Sequence, residues 1–468
     1  MCGRTGERTG TVLSTARAEE RRATERMEVA GRNTCDTRHR RLLVRNATAN
    51  ALQNLVSGVV LFLVFRHIST HLGVEAIGVW SLLTAAASVS RVADLGLTQA
   101  VVPLVARHRL GPDPEAGARL LETAVLTLGL TLAVVVLLVY PVVTRLASHL
   151  LPMLSPVQAG TFTRLTLLSF WLAAVAALIQ GGFDASEQMH IRAVVVVAGH
   201  VVLLASVVAL LPSRGLGGIF LAQILQGVFL ACASWLGVRC YVPGLRWLRL
   251  RWSSVHCREL MSYGSGVQIS AVLSLLLDPL TKVLLANFGG PALVAYFEVA
   301  SQVVLRIRNL LVSANQAVVP AVAGLASRGS EEVRRIYIQN VRALAVVSSL
   351  LFGCLILGAG YVGVFSLGRH DQLFSTVLRV LTAAWYLNTL NVPAYFVNLG
   401  LGRLKWNVLS HTTIAGLNAG LGWAAGTLWG AGGVLGAYVL ALVCGSALVI
   451  FGLHRDQSMP MRLLWRGL

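Results

Sequence analysis

Ionisable and amide side chains are sparse in the apolar runs of this sequence, and many of those present fall into register. Glu298, Gln302, Arg306, Asn309, Ser313 and Gln316 recur at steps of three or four, the spacing of one helix face. Ser270, Ser274, Asp278 and Lys282 form a second stripe, and Ser81, Thr84, Ser88 and Arg91 a third with Asp94 beside it. Asn46, Asn50, Asn54 and Ser57 form a fourth. A charge at the centre of a bilayer costs about 2.5–3.5 kcal/mol on insertion scales, so it faces water or a partner. Four such stripes imply a hydrated chamber. Arg306 and Arg308 outnumber Glu298 in their segment, so the chamber is expected to be cationic, and a planar guanidinium suits phosphate because it bonds two oxygens at once. The plainer reading of Asp278 and Lys282, at i and i+4, is that they neutralise one another and join helices. For Arg91 and Arg308 no matching acid is evident.

The elements that carry these stripes are membrane helices. Of 468 residues 55% are hydrophobic and 13% charged, and the apolar residues come in runs of about 20, the length that crosses a bilayer with every backbone group satisfied internally. Spans are expected at 47–66, 78–104, 119–143, 160–182, 193–212, 217–238, 264–286, 292–322, 340–366, 374–398, 406–428 and 432–453. Alternate connections, with the N-terminal tail, hold 29 Arg or Lys on one side against Arg66, Arg145, Arg214 and Arg369 on the other. The positive-inside rule makes the basic side cytoplasmic, with both termini there. The net charge of +19 therefore orients helices, and nucleic acid is not expected as a partner. Residues 1–46 lack an apolar core and read as a basic, disordered tail, with Met27 as an alternative start. The seven cysteines form no CxxC pair, so neither a disulfide framework nor a metal site is indicated.

Sliding the chain by 217 residues superposes Gln99-Ala100-Val101-Val102-Pro103 on Gln316-Ala317-Val318-Val319-Pro320, and residues 73–106 share nine identities with 290–323, including Gly73 with Gly290 and Arg91 with Arg308. Six spans separate the copies, so both insert in the same sense, as in transporters built from parallel repeats. The expected fold is an all-α integral membrane protein of about 12 transmembrane helices in two six-helix lobes around a central cavity. Its parts are a cytoplasmic tail (1–46), an N-terminal lobe (47–238), a cytoplasmic linker (239–263), a C-terminal lobe (264–453) and a second tail (454–468).

The stretches HLGVEAIGVWSLLTAAASVSRVADLGLTQAVV and LDPLTKVLLANFGGPALVAYFEVASQVVLRIRNLLVSANQAVVP resemble the two lobe signatures of the multidrug/oligosaccharidyl-lipid/polysaccharide (MOP) exporter superfamily. Within it the sequence is most similar to Wzx-type polysaccharide (O-antigen) flippases, over residues 41–455. The most specific parts are Asp94-Leu95-Gly96, Asp278, and Gly289 to Tyr296 with Pro320. The resemblance implies a bacterial inner-membrane flippase, not an enzyme, that moves an undecaprenyl-pyrophosphate-linked oligosaccharide to the periplasmic leaflet by alternating access. Twelve spans rather than fourteen speak against the lipid II flippase branch.

On this reading Arg91, Arg306, Arg308, Lys282 and Gln302 bind substrate, while Asp94, Asp278 and Glu298 balance charge or carry a coupling proton or sodium ion. No cofactor is required. The expected partners are the lipid-linked glycan, membrane lipids and the polysaccharide polymerase machinery. The alternative is a MATE-like antiporter of drugs or organic cations, which would want an acidic or aromatic cavity. A polyprenyl-linked glycosyltransferase would need a sizeable external loop, which the sequence lacks. Pro103, Pro279, Pro320 and Pro393 are expected to bend their spans, and the glycines at 416, 420, 422, 426 and 430 to pack helices closely. Asn388, Asn391, Tyr395 and Asn398 suit either sugars or interhelical bonds, and the lone His200 and His411 read as packing residues rather than proton carriers.

Overall fold

A computed structural model describes residues 45–46, 48–94, 96–109, 113, 115–245, 251–265, 268–316, 318, 322 and 330–460. Most of the basic tail, Met27, Leu95 and Pro320 lie outside the described residues. The chain divides into two compact units, Met1–Leu52 and Gln53–Leu468.

All regular elements among the described residues are helical: α1 (Thr48–Leu72), α2 (Val74–Ser88), a 3₁₀ turn (Val89–Asp94), α3 (Leu97–Arg109), α4 (Ala116–Leu150), α5 (Pro156–Ala185), α6 (Met189–Arg214), α7 (Leu216–Val238), α8 (Ser254–Ser265), α9 (Gln268–Asn315), α10 (Ser330–Leu357), α11 (Ala359–Leu367), α12 (Gln372–Thr389), α13 (Val392–Gly400) and α14 (Lys405–Asp456). Among the described residues, eight helices are long and apolar enough to cross a membrane. Two of these, α9 and α14, are double spans that reverse at Gly290 and Gly430, and the expected second, ninth and tenth spans each divide into consecutive helices. Each of the twelve expected spans has a helical counterpart.

The internal repeat is written in the backbone. Gly73 (φ 84, ψ 168) and Gly290 (φ 75, ψ 178) share a conformation that only glycine adopts without strain, and each turns the chain between two spans with no intervening loop. A second pair, Gly215 (φ 53, ψ −135) and Gly430 (φ 61, ψ −149), does the same at the fifth and eleventh connections. Three residues on, Gly218 and Gly433 press against the carbonyls of Leu210 and Ala425. The second pair is offset by 215 residues rather than 217, so the second copy is two residues shorter than the first between these connections. Gly290→Ala is expected to cost about 1–3 kcal/mol from backbone strain alone, because a Cβ there meets open space. An unchanged unfolding midpoint in detergent would contradict that origin.

The proline expectations hold unevenly. Pro279 lies within continuous helix and the interruption of α9 falls at Gly290 instead; the ring removes one backbone bond, whereas positive φ reverses the chain. Pro393 stands at the start of α13, where its missing N–H costs nothing. Of the glycine series, a Cβ on Gly422 or Gly426 would strike Leu284 or Phe288 of α9, while one on Gly416 or Gly420 meets nothing within 4 Å among the described residues. Only part of that stripe is a packing seam.

At the connection between α11 and α12, Asp371 caps α12 by accepting from Phe374 N (3.1 Å) and also accepts from Tyr296 Oη (2.5 Å) and Arg369 Nη2 (3.2 Å). Burial pushes the carboxyl up, but the Tyr296 hydroxyl, the Phe374 amide and Arg369 together hold it below the usual aspartate range. A depressed folded value stabilises the protein above the unfolded value near 3.9, and this contribution is lost as pH falls through the folded value. Asp371→Asn should therefore flatten the fall of the unfolding midpoint between about pH 5 and 3. Parallel midpoint curves for variant and parent would contradict this.

Candidate functional site

The two limbs of α9 run back alongside one another from Gly290, and this brings the seventh-span stripe onto the eighth. Lys282 Nζ lies 2.6 Å from Asp278 Oδ2 and 2.5 Å from Glu298 Oε2. Glu298 accepts in addition from Gln302 Nε2 (2.9 Å) and Ser81 Oγ (2.8 Å). The Lys282 side chain is 7% exposed, Glu298 14% and Asp278 49%, so the ammonium is sealed and Asp278 is the open end. Lys282 was expected to touch substrate, but two carboxylates already surround its only charge. Two acids against one base also give this end of the stripe a formal excess of negative charge, where a cationic chamber was expected.

Ser81 and Glu298 are separated by 217 residues, the repeat offset. A residue can touch its own equivalent only near the axis that relates the copies, so this hydrogen bond marks that axis. Around it α2 packs along α9, closely enough that a Cβ on Gly78 would collide with the Pro291 carbonyl.

Further along the stripe, Arg306 reaches across to α1. Its Nη1 donates to Asn54 O (2.8 Å), and Gly58 makes room, since a Cβ there would stand 3.1 Å from Arg306 Cδ. Every acid beyond residue 44 is among the described residues, and none pairs with Arg306; its Nε is shut off from solvent without a partner there. His200 Nδ1 stands 3.3 Å from Ser57 Oγ and 2.8 Å from Val196 O on the same side. Asn309, Ser313 and Gln316 continue the stripe as exposed residues.

Arg308 departs from the expected arrangement. Two residues beyond Arg306 it is turned about 200° round the helix, into the space between α12, α13 and α14. Its guanidinium lies 4.8 Å from the Trp385 ring centroid, within electrostatic reach of Tyr395, Tyr438 and His411. It too lacks a carboxylate partner among the described residues, and its Nε is buried and unbonded. Arg306 and Arg308 thus do not form one set. The side chain of Arg91 lies outside what the structure describes, although its 3₁₀ turn lies against α9.

Asp94 Oδ1 accepts from both the N–H (3.1 Å) and hydroxyl (3.0 Å) of Thr98 at the start of α3. The tenth-span amides bond between helices: Asn388 and Asn391 donate to Ser446 Oγ (2.9 and 2.8 Å), and Asn398 to Asn407 Oδ1 (3.3 Å). Sequence reasoning missed Ser81 as a site residue and Gly58 altogether. The 217-residue spacing of Ser81 from Glu298 was the signal for the first; nothing in the sequence marked the second.

Residues 43–326 match the family model described as polysaccharide biosynthesis protein. The chain belongs to that family. No curated protein matches it by sequence. Solved structures similar to this polysaccharide biosynthesis family member include the lipid II flippase MurJ in an inward closed conformation, at TM-score 0.70 and 14% identity, covering 90% of this chain and 89% of that one. A multidrug resistance MATE family transporter of the MOP superfamily, inward-facing, matches at TM-score 0.63 and 16% identity over 87% and 94%. A Pyrococcus furiosus MOP superfamily transporter, whose binding pocket is described as of reverse polarity, matches at 0.56 and 15% over 90% and 94%. These likenesses are of fold, and with the family match they make this family member a multi-pass MOP-superfamily transporter.

Proposed function

We propose that the protein moves a polyprenyl-diphosphate-linked oligosaccharide across the bacterial inner membrane by alternating access between its two lobes, 47–238 and 264–453. The observation that carries the reading is Arg306: a guanidinium on a stripe between repeat copies, with a backbone carbonyl where a carboxylate would normally stand. Such a cation is costly in hydrocarbon, and a diphosphate entering from the basic side, which the charge count makes cytoplasmic, offers it two charged oxygens. Arg91, the repeat equivalent of Arg308 on the other copy, is a second cation proposed for the headgroup. Closure at the far side is supported by Gly78 against Pro291, Phe62 against Phe365 (ring centroids 6.3 Å) and Thr70 against Gly368. Gln302, already bonded to Glu298, borders the path. Asp278, half exposed beside a sealed Lys282, is where a coupling proton or sodium ion would be taken up. A membrane potential negative inside favours outward movement of an anion by about 2.3 kcal/mol per charge per 100 mV.

The test is reconstitution in liposomes with a fluorescent polyprenyl-diphosphate oligosaccharide, following its accessibility to a membrane-impermeant quencher. Protein-dependent equilibration between leaflets is expected, and rates no faster than in empty liposomes would overturn the proposal. A second reading, an organic-cation antiporter, draws on the excess negative charge of Asp278 and Glu298 over Lys282. Reduced drug accumulation in cells expressing the protein would favour it.

A further inference from the structure

Arg164 presents a different problem from the charges along the chamber. It is exposed on α5 with no carboxylate partner among the described residues, its Nε donating only to Gly160 O of its own helix (3.3 Å). Nearby residues are lipid-facing leucines: Leu137 is 73% exposed and Leu168 45%. Arg164 lies eight residues into α5, roughly 12 Å from the end remote from the basic connections. It shares that depth with Tyr140 of α4, whose ring is of the kind that settles at a membrane–water boundary.

Below this cation a groove of about 500 Å³ runs between α4 and α5, lined by Tyr140, Val136, Leu137, Arg164, Leu168 and Trp171. It is a built feature. Trp171 Nε1 donates to Gly129 O (2.8 Å), which holds the indole against α4. The Trp171 ring thus closes the bottom of the groove about 10 Å deeper than Arg164 by helix rise. A cation at the interface above an apolar slot directed into the membrane has the shape and polarity of a phosphodiester with one attached acyl chain.

We propose that this groove binds an anionic glycerophospholipid of the leaflet opposite the basic side, its phosphate on Arg164 beside the Tyr140 hydroxyl and one acyl chain along Leu168 down to Trp171. The groove opens to lipid from two neighbouring helices. The transported lipid's glycan head instead needs the polar stripe of α9.

The test uses the full-length protein in mixed micelles with phosphatidylglycerol or phosphatidylcholine carrying a diazirine on the acyl chain, followed by peptide mapping. Phosphatidylglycerol should label segments 133–140 and 164–171, and Arg164→Gln should lower that labelling about tenfold, the worth of one charge-assisted hydrogen bond, to the phosphatidylcholine level. Leu168→Trp, which fills the slot, should remove labelling by both lipids, so the proposal stays testable should Arg164→Gln fold poorly. Equal labelling by the two lipids, labelling unchanged in both variants, or displacement by a polyprenyl diphosphate at equal concentration would each overturn it; the last would give the groove to the substrate.

Discussion

Arg306→Gln is expected to reduce transport of the lipid-linked glycan by about ten- to a hundredfold, the worth of a hydrogen bond to a charged group at about 1.5–3 kcal/mol, while leaving protein abundance and unfolding midpoint close to those of the parent. The two halves of that expectation come from different features. Transport falls because the guanidinium is the charge on the α9 stripe with no acid neutralising it, so its interaction energy is available to an incoming diphosphate. Stability is spared because the residue is only half buried and donates to a carbonyl of α1 that already accepts within its own helix. Arg306→Lys should recover part of the loss, since a point charge replaces a two-pronged donor. Gly58→Leu offers an independent route to the same end by pushing the Arg306 side chain out of its groove on α1. Wild-type rates in Arg306→Gln, measured in the liposome assay, would remove the proposed substrate contact. Loss of folded protein in place of loss of transport would make the residue a structural one.

What was legible in the sequence divides along physical lines. The spans were legible because hydropathy over about 20 residues is a local property that the bilayer alone enforces. The repeat was legible at Gly73 and Gly290, where nine identities survive nearby; at Gly215 and Gly430 a shared Gly-x-Gly-Gly (residues 215–218 and 430–433) was overlooked because the offset slips there from 217 to 215. Side-chain assignments failed where they needed a tertiary relation. Asp278 and Lys282 could be paired from i, i+4 spacing, yet Glu298 joins them only because α9 reverses at Gly290. Arg308 was grouped with Arg306 by charge type, although 200° of helix rotation sends it to Trp385. The start of α3 at Leu97, which Asp94 caps through Thr98, was hidden inside one long apolar span.

Lys282→Met is expected to have the largest effect on stability, about 3–5 kcal/mol, the range for removing one partner of a buried ion pair. The side chain it replaces is 7% exposed and closes on Glu298 at 2.5 Å and Asp278 at 2.6 Å. With the ammonium gone, Glu298 retains hydrogen bonds from Ser81 and Gln302 but no positive charge to offset its burial. It stands at the axis between repeat copies, so the strain falls on the packing of α2 against α9. Asp278, half exposed, can shed its charge by taking up a proton, so Glu298 is the group that decides the outcome. The double variant Lys282→Met/Glu298→Gln should therefore recover most of the lost stability, because an amide still accepts from Ser81 while carrying no charge, whereas Lys282→Met/Asp278→Asn should recover little. A midpoint for the Glu298 double variant no higher than that of Lys282→Met, or equal recovery by both double variants, would show that the cluster is not held together by neutralising a carboxylate on the repeat axis.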